Sequence, residues 1–144
     1  MDDSAMAAYI TATFPGVETT TAFGYTFFFY QDERKLPFAT LTASDNEYDR
    51  VSNLDRPGVY RLNIGVSRPT FESLFGAAKP DLGQYDFTAL DTLMPHPDYA
   101  PQNWVCVVSP GEATLAQARE LLAEAYGIAV QRHQRRNPAT EAGA

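Results

Sequence analysis

Leu93-Met94-Pro95-His96-Pro97-Asp98-Tyr99-Ala100-Pro101-Gln102-Asn103-Trp104-Val105-Cys106-Val107-Val108 is the stretch on which the reading of this chain turns. It holds the sole Trp, the sole Cys, one of two His and three of ten Pro. Proline removes a backbone donor and fixes φ, so the first part reads as a stiff loop. Trp104 to Val108 is a short apolar run rich in Val, which reads as a strand. Side chains able to bind or to move protons therefore stand in a loop that runs straight into an element able to hold them still.

Downstream, residues 112–133 read as a long amphipathic helix. Leu115, Ala118, Leu122, Ala125 and Ala129 recur at intervals of 3, 4, 3 and 4, and Leu121 and Ile128 widen the stripe. Arg132, His133, Arg135 and Arg136 gather at its C-terminal end, where cations complement the helix dipole. Asn137-Pro138 breaks the helix, and 137–144 is expected to be a frayed tail.

Upstream, residues 77–103 carry no strong period and are read as irregular, with one turn of helix around Phe87 to Leu93. Ser67 is placed to cap a short helix with Pro69 in its first turn and Phe71, Leu74 and Phe75 on its buried face, ended by Gly76. Strands are expected at Val17 to Phe23, Tyr25 to Tyr30, Phe38 to Ala43 and Val59 to Val66. In the last of these, Tyr60, Leu62, Ile64 and Val66 share one face and Arg61 and Asn63 the other. Gln31 to Lys35 reads as a polar turn, and 44–58 as the longest polar connection, of a length that is often functional or mobile. Residues 4–14 form a first helix with Met6, Tyr9, Ile10, Thr13 and Phe14 on one face, capped by Asp3 or Ser4 and stopped by Pro15-Gly16.

The order is helix, about four strands, short helix, strand, long helix. It predicts an α+β fold with a mainly antiparallel sheet of about five strands, in one domain over 1–136. A chain of 144 residues is long enough to bury a core without disulfide or metal. Its 44% hydrophobic residues and 18 aromatics (Phe 9, Tyr 8, Trp 1) argue against disorder. No apolar run reaches the roughly 20 residues needed to span a bilayer. Asp2 and Asp3 stand where a signal peptide would carry base, so a cytoplasmic location is expected. The net charge is -7; leaving out 131–144, with three Arg and one Glu, gives eight bases against seventeen acids, or -9. Such a body repels phosphate backbones, so no nucleic-acid partner is expected.

Phe14-Pro15-Gly16, Lys35-Leu36-Pro37-Phe38-Ala39-Thr40-Leu41, Tyr60-Arg61-Leu62-Asn63-Ile64, His96 followed by Asn103-Trp104-Val105, and Leu121-Leu122-Ala123-Glu124-Ala125-Tyr126 occur here in that order. In these runs, spread over about residues 5–132, the chain resembles the MmcQ/YjbR-like domains. It is most similar to a bacterial family of unknown function that also shares Arg56-Pro57-Gly58-Val59-Tyr60. The resemblance implies a YjbR/CyaY-like α+β fold, sometimes described as a double-wing DNA-binding architecture. It implies no settled activity and supplies no catalytic residue. The length of 44–57 departs from the general pattern.

His96 is the leading chemical residue, because an imidazole titrates near neutrality and can exchange a proton or hold a ligand. Asp98 or Tyr99 is placed to orient it. The competing reading is a rigid Pro-His-Pro loop whose imidazole bonds backbone and pins 94–103. Tyr99 and Trp104 can stack on a flat ligand or fill a core. Cys106, alternating with Trp104 and Val108, reads as a small buried hydrophobe, not a reactive thiol. Arg61 and Asn63 share one side of their strand and can hold a carboxylate, or else form the wet face of the sheet. Asp45, Glu47 and Asp49 mimic the opening of a calcium loop, but Arg50 and Arg56 stand where its Gly and its last Glu belong. Neither a metal nor a cofactor is expected, and no phosphate loop, dinucleotide fingerprint or serine elbow is present.

The leading expectation is a small domain that binds a small organic ligand or a protein partner without catalysis of its own. Its site would be a pocket between the sheet and the 93–104 loop, lined by Tyr25, Phe27, Phe29, Tyr99 and Trp104, with Arg61, Asn63 and His96 as polar contacts. The second is an enzyme using His96 as general acid or base, with Arg61 holding an anion. The third is nucleic-acid binding, which rests on fold analogy alone. A monomer or homodimer away from membranes is expected in each case.

Overall fold

The computed structural model describes residues 1–33 and 36–136. Asp2, one residue before the expected caps, opens helix α1 (Asp3–Thr13) by accepting the Ala5 N–H at 2.8 Å. The residue before a proline is driven out of helical φ/ψ, and Phe14 accordingly sits extended at the helix end. Strand β1 (Val17–Ala22) turns through Phe23-Gly24 into β2 (Tyr25–Tyr30). Both turn residues have positive φ, 56° and 82°, the primed geometry whose twist matches a two-residue hairpin.

Strand β3 (Ala39–Thr42) and β4 (Arg61–Gly65) follow, separated by the long polar segment. Helix α2 (Arg68–Phe75) is capped by Ser67, whose hydroxyl accepts the Thr70 N–H at 3.2 Å, and it ends at Gly76 as expected. Strand β5 (Leu93–Pro95), β6 (Trp104–Val108) and helix α3 (Leu115–Arg136) complete the chain. Asp91 closes the start of α3 by accepting the N–H groups of Gly111, Ala113 and Thr114 and the Thr114 hydroxyl. Its carboxyl is held down at about 2, first by the Thr114 hydroxyl and then by those backbone donors.

The α+β class and the antiparallel sheet stand as read. The sheet has six strands, not about five, in the order β1-β2-β3-β4-β6-β5 with every neighbouring pair antiparallel. The additional strand is β5, inside the segment read as irregular; three residues ending in proline show no alternation from which to infer a strand. The helical turn expected at Phe87 to Leu93 is absent, and short 3-10 turns stand at Leu82–Gln84 and Ala100–Gln102 instead. Asn137-Pro138 and the expected tail 137–144 lie outside the described residues, as does the end of the polar turn at 31–35.

Register assigns the faces. Phe28, Ala39, Ile64 and Val105 lie in one row and Leu41, Leu62 and Val107 in another, and both rows pack under Met6 and Ile10 of α1, Phe71 of α2 and Ala118, Leu122 and Ala125 of α3. The opposite face carries Phe27, Thr40, Asn63, Cys106 and Met94 in one row and Tyr25, Thr42, Arg61 and Val108 in the next. This second face is not the wet side of the sheet. Arg61 is 0% and Asn63 1% exposed, because 44–58 folds over them and buries Ser52 and Leu54 as well. Arg56 ties that cover to the next one, its guanidinium donating to the carbonyls of Ser52 and Thr88, each at 3.0 Å. Phe87 in turn covers Met94 and Cys106. Among the described residues no helix is long and apolar enough to cross a membrane.

Candidate functional site

A guanidinium buried without partners would carry a large desolvation cost, so the groups around Arg61 show what this face is built for. Its Nε donates to Asn63 Oδ1 at 3.0 Å and its Nη1 to Ser52 Oγ at 3.1 Å. The two Nη atoms grip the Asp49 carboxylate as a fork, at 3.1 Å to Oδ1 and 2.5 Å to Oδ2. The Tyr25 hydroxyl donates to Asp49 Oδ2 and accepts from Asn46 Nδ2 at 3.4 Å. Asn63 passes the network to β3 by donating to Thr40 Oγ1 at 3.0 Å.

The charge states follow from these contacts. Burial pushes the Asp49 carboxyl up, but the bonds from Arg61 and Tyr25 outweigh it and leave the group below its ordinary value. Burial likewise works against the charge on Arg61, and the Asp49 carboxylate reverses that, so the guanidinium holds its proton more firmly than usual. The Tyr25 phenol is raised, by burial first and then by bonding to a carboxylate. Here the carboxylate is the chain's own, whereas sequence reasoning places Arg61 and Asn63 on one side of their strand to hold a ligand's carboxylate or to form the wet face of the sheet. It missed Asp49, which it had grouped with Asp45 and Glu47 as a calcium-like run. Those acids do not converge: Asp45 Oδ1 accepts the Leu54 N–H at 2.8 Å while Asp49 faces Arg61. Among the described residues no group of three or more His, Cys, Asp or Glu stands close enough to hold a metal.

His96 is 4% exposed. Its Nδ1 accepts the backbone N–H groups of Asp98 and Tyr99, both at 3.0 Å, which places the ring proton of the neutral imidazole on Nε2. Asp98 and Tyr99 do orient the ring, through backbone and not through their side chains. The His96 N–H donates to the Trp104 carbonyl at 3.0 Å and its own carbonyl accepts the Ala100 N–H at 3.2 Å, so the residue pins the loop at four points. Burial, then the Arg61 charge, push its pKa down to about 3. Cys106, fully buried in β6, has a thiol raised to about 12 by burial.

The aromatic candidates separate. Tyr25, Phe27 and Phe29 make a stripe along β2 with ring centroids 6.1 and 6.3 Å apart. Tyr99 is 57% exposed, with its ring 5.0 Å from that of His96. Trp104 stands three strands away from β2, roughly 14 Å at ordinary strand spacing. It lines a cleft of about 90 Å³ at the end of the sheet, together with Leu36, Pro37, Phe38, Val66, Ile128 and Arg132. Of the eight residues expected to meet a ligand, Trp104 alone lines this cleft. Gly65 makes the arrangement possible, since a Cβ there would stand 2.9 Å from the indole. The sequence reads Ile128 as part of the apolar stripe of α3 and Arg132 as part of the basic cluster at its end. Their role was hidden because the cleft walls come from four separated segments.

Residues 1–138 match a family described as "Family of unknown function (DUF6194)". No curated protein and no solved structure matches the chain.

Proposed function

We propose, from the premise that the chain belongs to that family of unknown function, that it is a small-molecule-binding domain without catalysis of its own. The observation that carries this reading is the state of its reactive side chains. A general acid or base works best with a pKa near the operating pH, yet His96 is pushed to about 3 and Cys106 to about 12. Arg61 has its fork closed by Asp49. The cleft beside Trp104 stays open, with two aromatic side chains, several aliphatic ones, the Gln102 amide and one cation. The buried free thiol suits the cytoplasm, and the acidic body suits a partner other than nucleic acid. We retain the likeness to MmcQ/YjbR-like domains, carried by the short sequence runs, as part of this reading.

A panel of small fragments titrated into ¹⁵N-labelled protein tests it. Saturable shifts gathered at Trp104, Gly65, Ala125 and Ile128 are expected, with an accompanying rise in melting temperature. A panel in which no compound shifts those resonances would refute the reading.

A further inference from the structure

The cleft beside Trp104 has a chemistry more specific than that of an apolar hollow. Leu36, Pro37, Phe38, Val66, Ile128 and the indole supply walls that favour a hydrocarbon body, beside the amide of Gln102. Arg132 stands among them as the single charged side chain of the lining. Three arginines elsewhere in the fold hold carboxylates: Arg61 with Asp49, Arg68 with Glu72 and Arg136 with Glu33. Arg132 makes no ion pair or hydrogen bond among the described residues. This happens in a chain with 18 acids against 11 bases, where an acidic neighbour would be easy to supply. A planar guanidinium with no partner, in the same lining as an indole, matches a carboxylate in shape and charge.

Size narrows the class. The cleft is about 90 Å³. A cavity of roughly 150 Å³ is enough to hold benzene, so this open cleft takes a branched alkyl group or part of one ring, the rest of a larger ligand staying in solvent at its mouth. Rigidity helps too, because Gly65 lets the indole lie against β4 with no room for a Cβ between them.

We propose that the cleft binds a carboxylate carried on a short apolar body, with Trp104 and Ile128 taking the body and Arg132 the anion. This rests on the binding reading above and adds the ligand class to it. The carboxylate can belong to a free small acid or to the C-terminal residue of a peptide.

The test follows the indole N–H resonance of Trp104, the sole Trp and therefore an unambiguous reporter. The probes are isovalerate and benzoate against isopentylamine and benzylamine, at constant ionic strength. Acetyl-Gly-Leu with a free C-terminus, against its amide, separates the two sources. The acids should shift the indole saturably at millimolar concentration, and the amines should bind at least tenfold more weakly. Arg132→Gln, on a half-buried helix position, should weaken the acids roughly tenfold or more, as loss of a charge-assisted bond implies, and leave the amines unchanged. Preference for the peptide or for the free acid supports the proposal in either case and names the source. Equal binding of acids and amines, or acids indifferent to Arg132→Gln, would overturn the carboxylate class while leaving the domain a binder. Failure of every compound, fragment panel included, would remove both readings together.

Discussion

Asp49→Ala opens the sharpest test of the buried network. The substitution removes the only carboxylate that pairs with Arg61 among the described residues and leaves a guanidinium that is 0% exposed without a counter-charge. Removing one partner of a buried pair typically costs about 3–5 kcal/mol, and the Tyr25 hydroxyl loses its acceptor as well. Unfolding entropies near 2.1 cal/mol/K per residue make the total about 300 cal/mol/K for a chain of this length, so the melting temperature should fall by roughly 10–17 °C. Calorimetry at pH 7 reads this directly. The pH dependence gives an independent check. The folded-state pKa of Asp49 is depressed, so its contribution is complete above the unfolded value near 4 and is lost as pH falls through the folded value below it. Parent and variant should therefore converge in acid. Asp49→Leu with Arg61→Met should recover much of the loss, because the desolvation cost disappears with both charges. A drop of under about 3 °C for Asp49→Ala would refute the sealed network, since the guanidinium would then have found water.

Four further outcomes follow from the same structure. His96→Ala leaves the Asp98 and Tyr99 N–H groups without an acceptor and should cost about 1–3 kcal/mol by denaturant titration; an unchanged midpoint would count against a structural role. The unfolded chain takes up this proton near 6.5 and the folded one only near 3, so the parent should lose stability as pH falls from 6.5 towards 3, at up to about 1.4 kcal/mol per unit, and the variant should lack that component of the slope. Cys106 should resist a thiol reagent at pH 8 in the native protein and react at the rate of unfolding, whereas stoichiometric labelling within minutes would contradict its burial. Gly65→Ala puts a methyl 2.9 Å from the Trp104 ring and should displace the indole, costing about 1–3 kcal/mol; an unshifted indole N–H resonance would show that the ring does not lie there.

What the sequence made legible was local. The Val-rich run fixes β6 to the residue, the 3-4 spacing fixes the buried stripe of α3, and Ser67 marks the start of α2, because each signal acts within a few positions. The inner face of β4 was also readable, since Leu62 and Ile64 alternate with polar residues. The outer face was not. Alternation shows that Arg61 and Asn63 point the same way, but whether water or chain meets them depends on 44–58 folding back, which no periodicity encodes. Asp49 was therefore visible as an acid and invisible as a partner. β5 escaped because three residues are too few to display a period. The cleft escaped because Leu36, Gly65, Trp104 and Arg132 meet only after the sheet is assembled.

The strand order has a consequence for how the chain is made. β6 sits between β4 and β5, yet both of those precede it in the sequence. As synthesis proceeds from the N-terminus, β1 to β4 can pair as a meander as soon as they emerge, while β5 has no neighbour until β6 arrives. The apolar face bearing Phe28, Leu41, Leu62 and Ile64 also waits for Leu122 and Ala125, which leave the ribosome about 60 residues after β4, several seconds at ordinary elongation rates. During that interval the nascent chain carries an open strand edge and a half-covered hydrophobic sheet, the features that recruit chaperones and nucleate aggregates. Release of a chain truncated before α3 would thus give an insoluble product, and α3 acts as the step that commits the whole sheet to its native state.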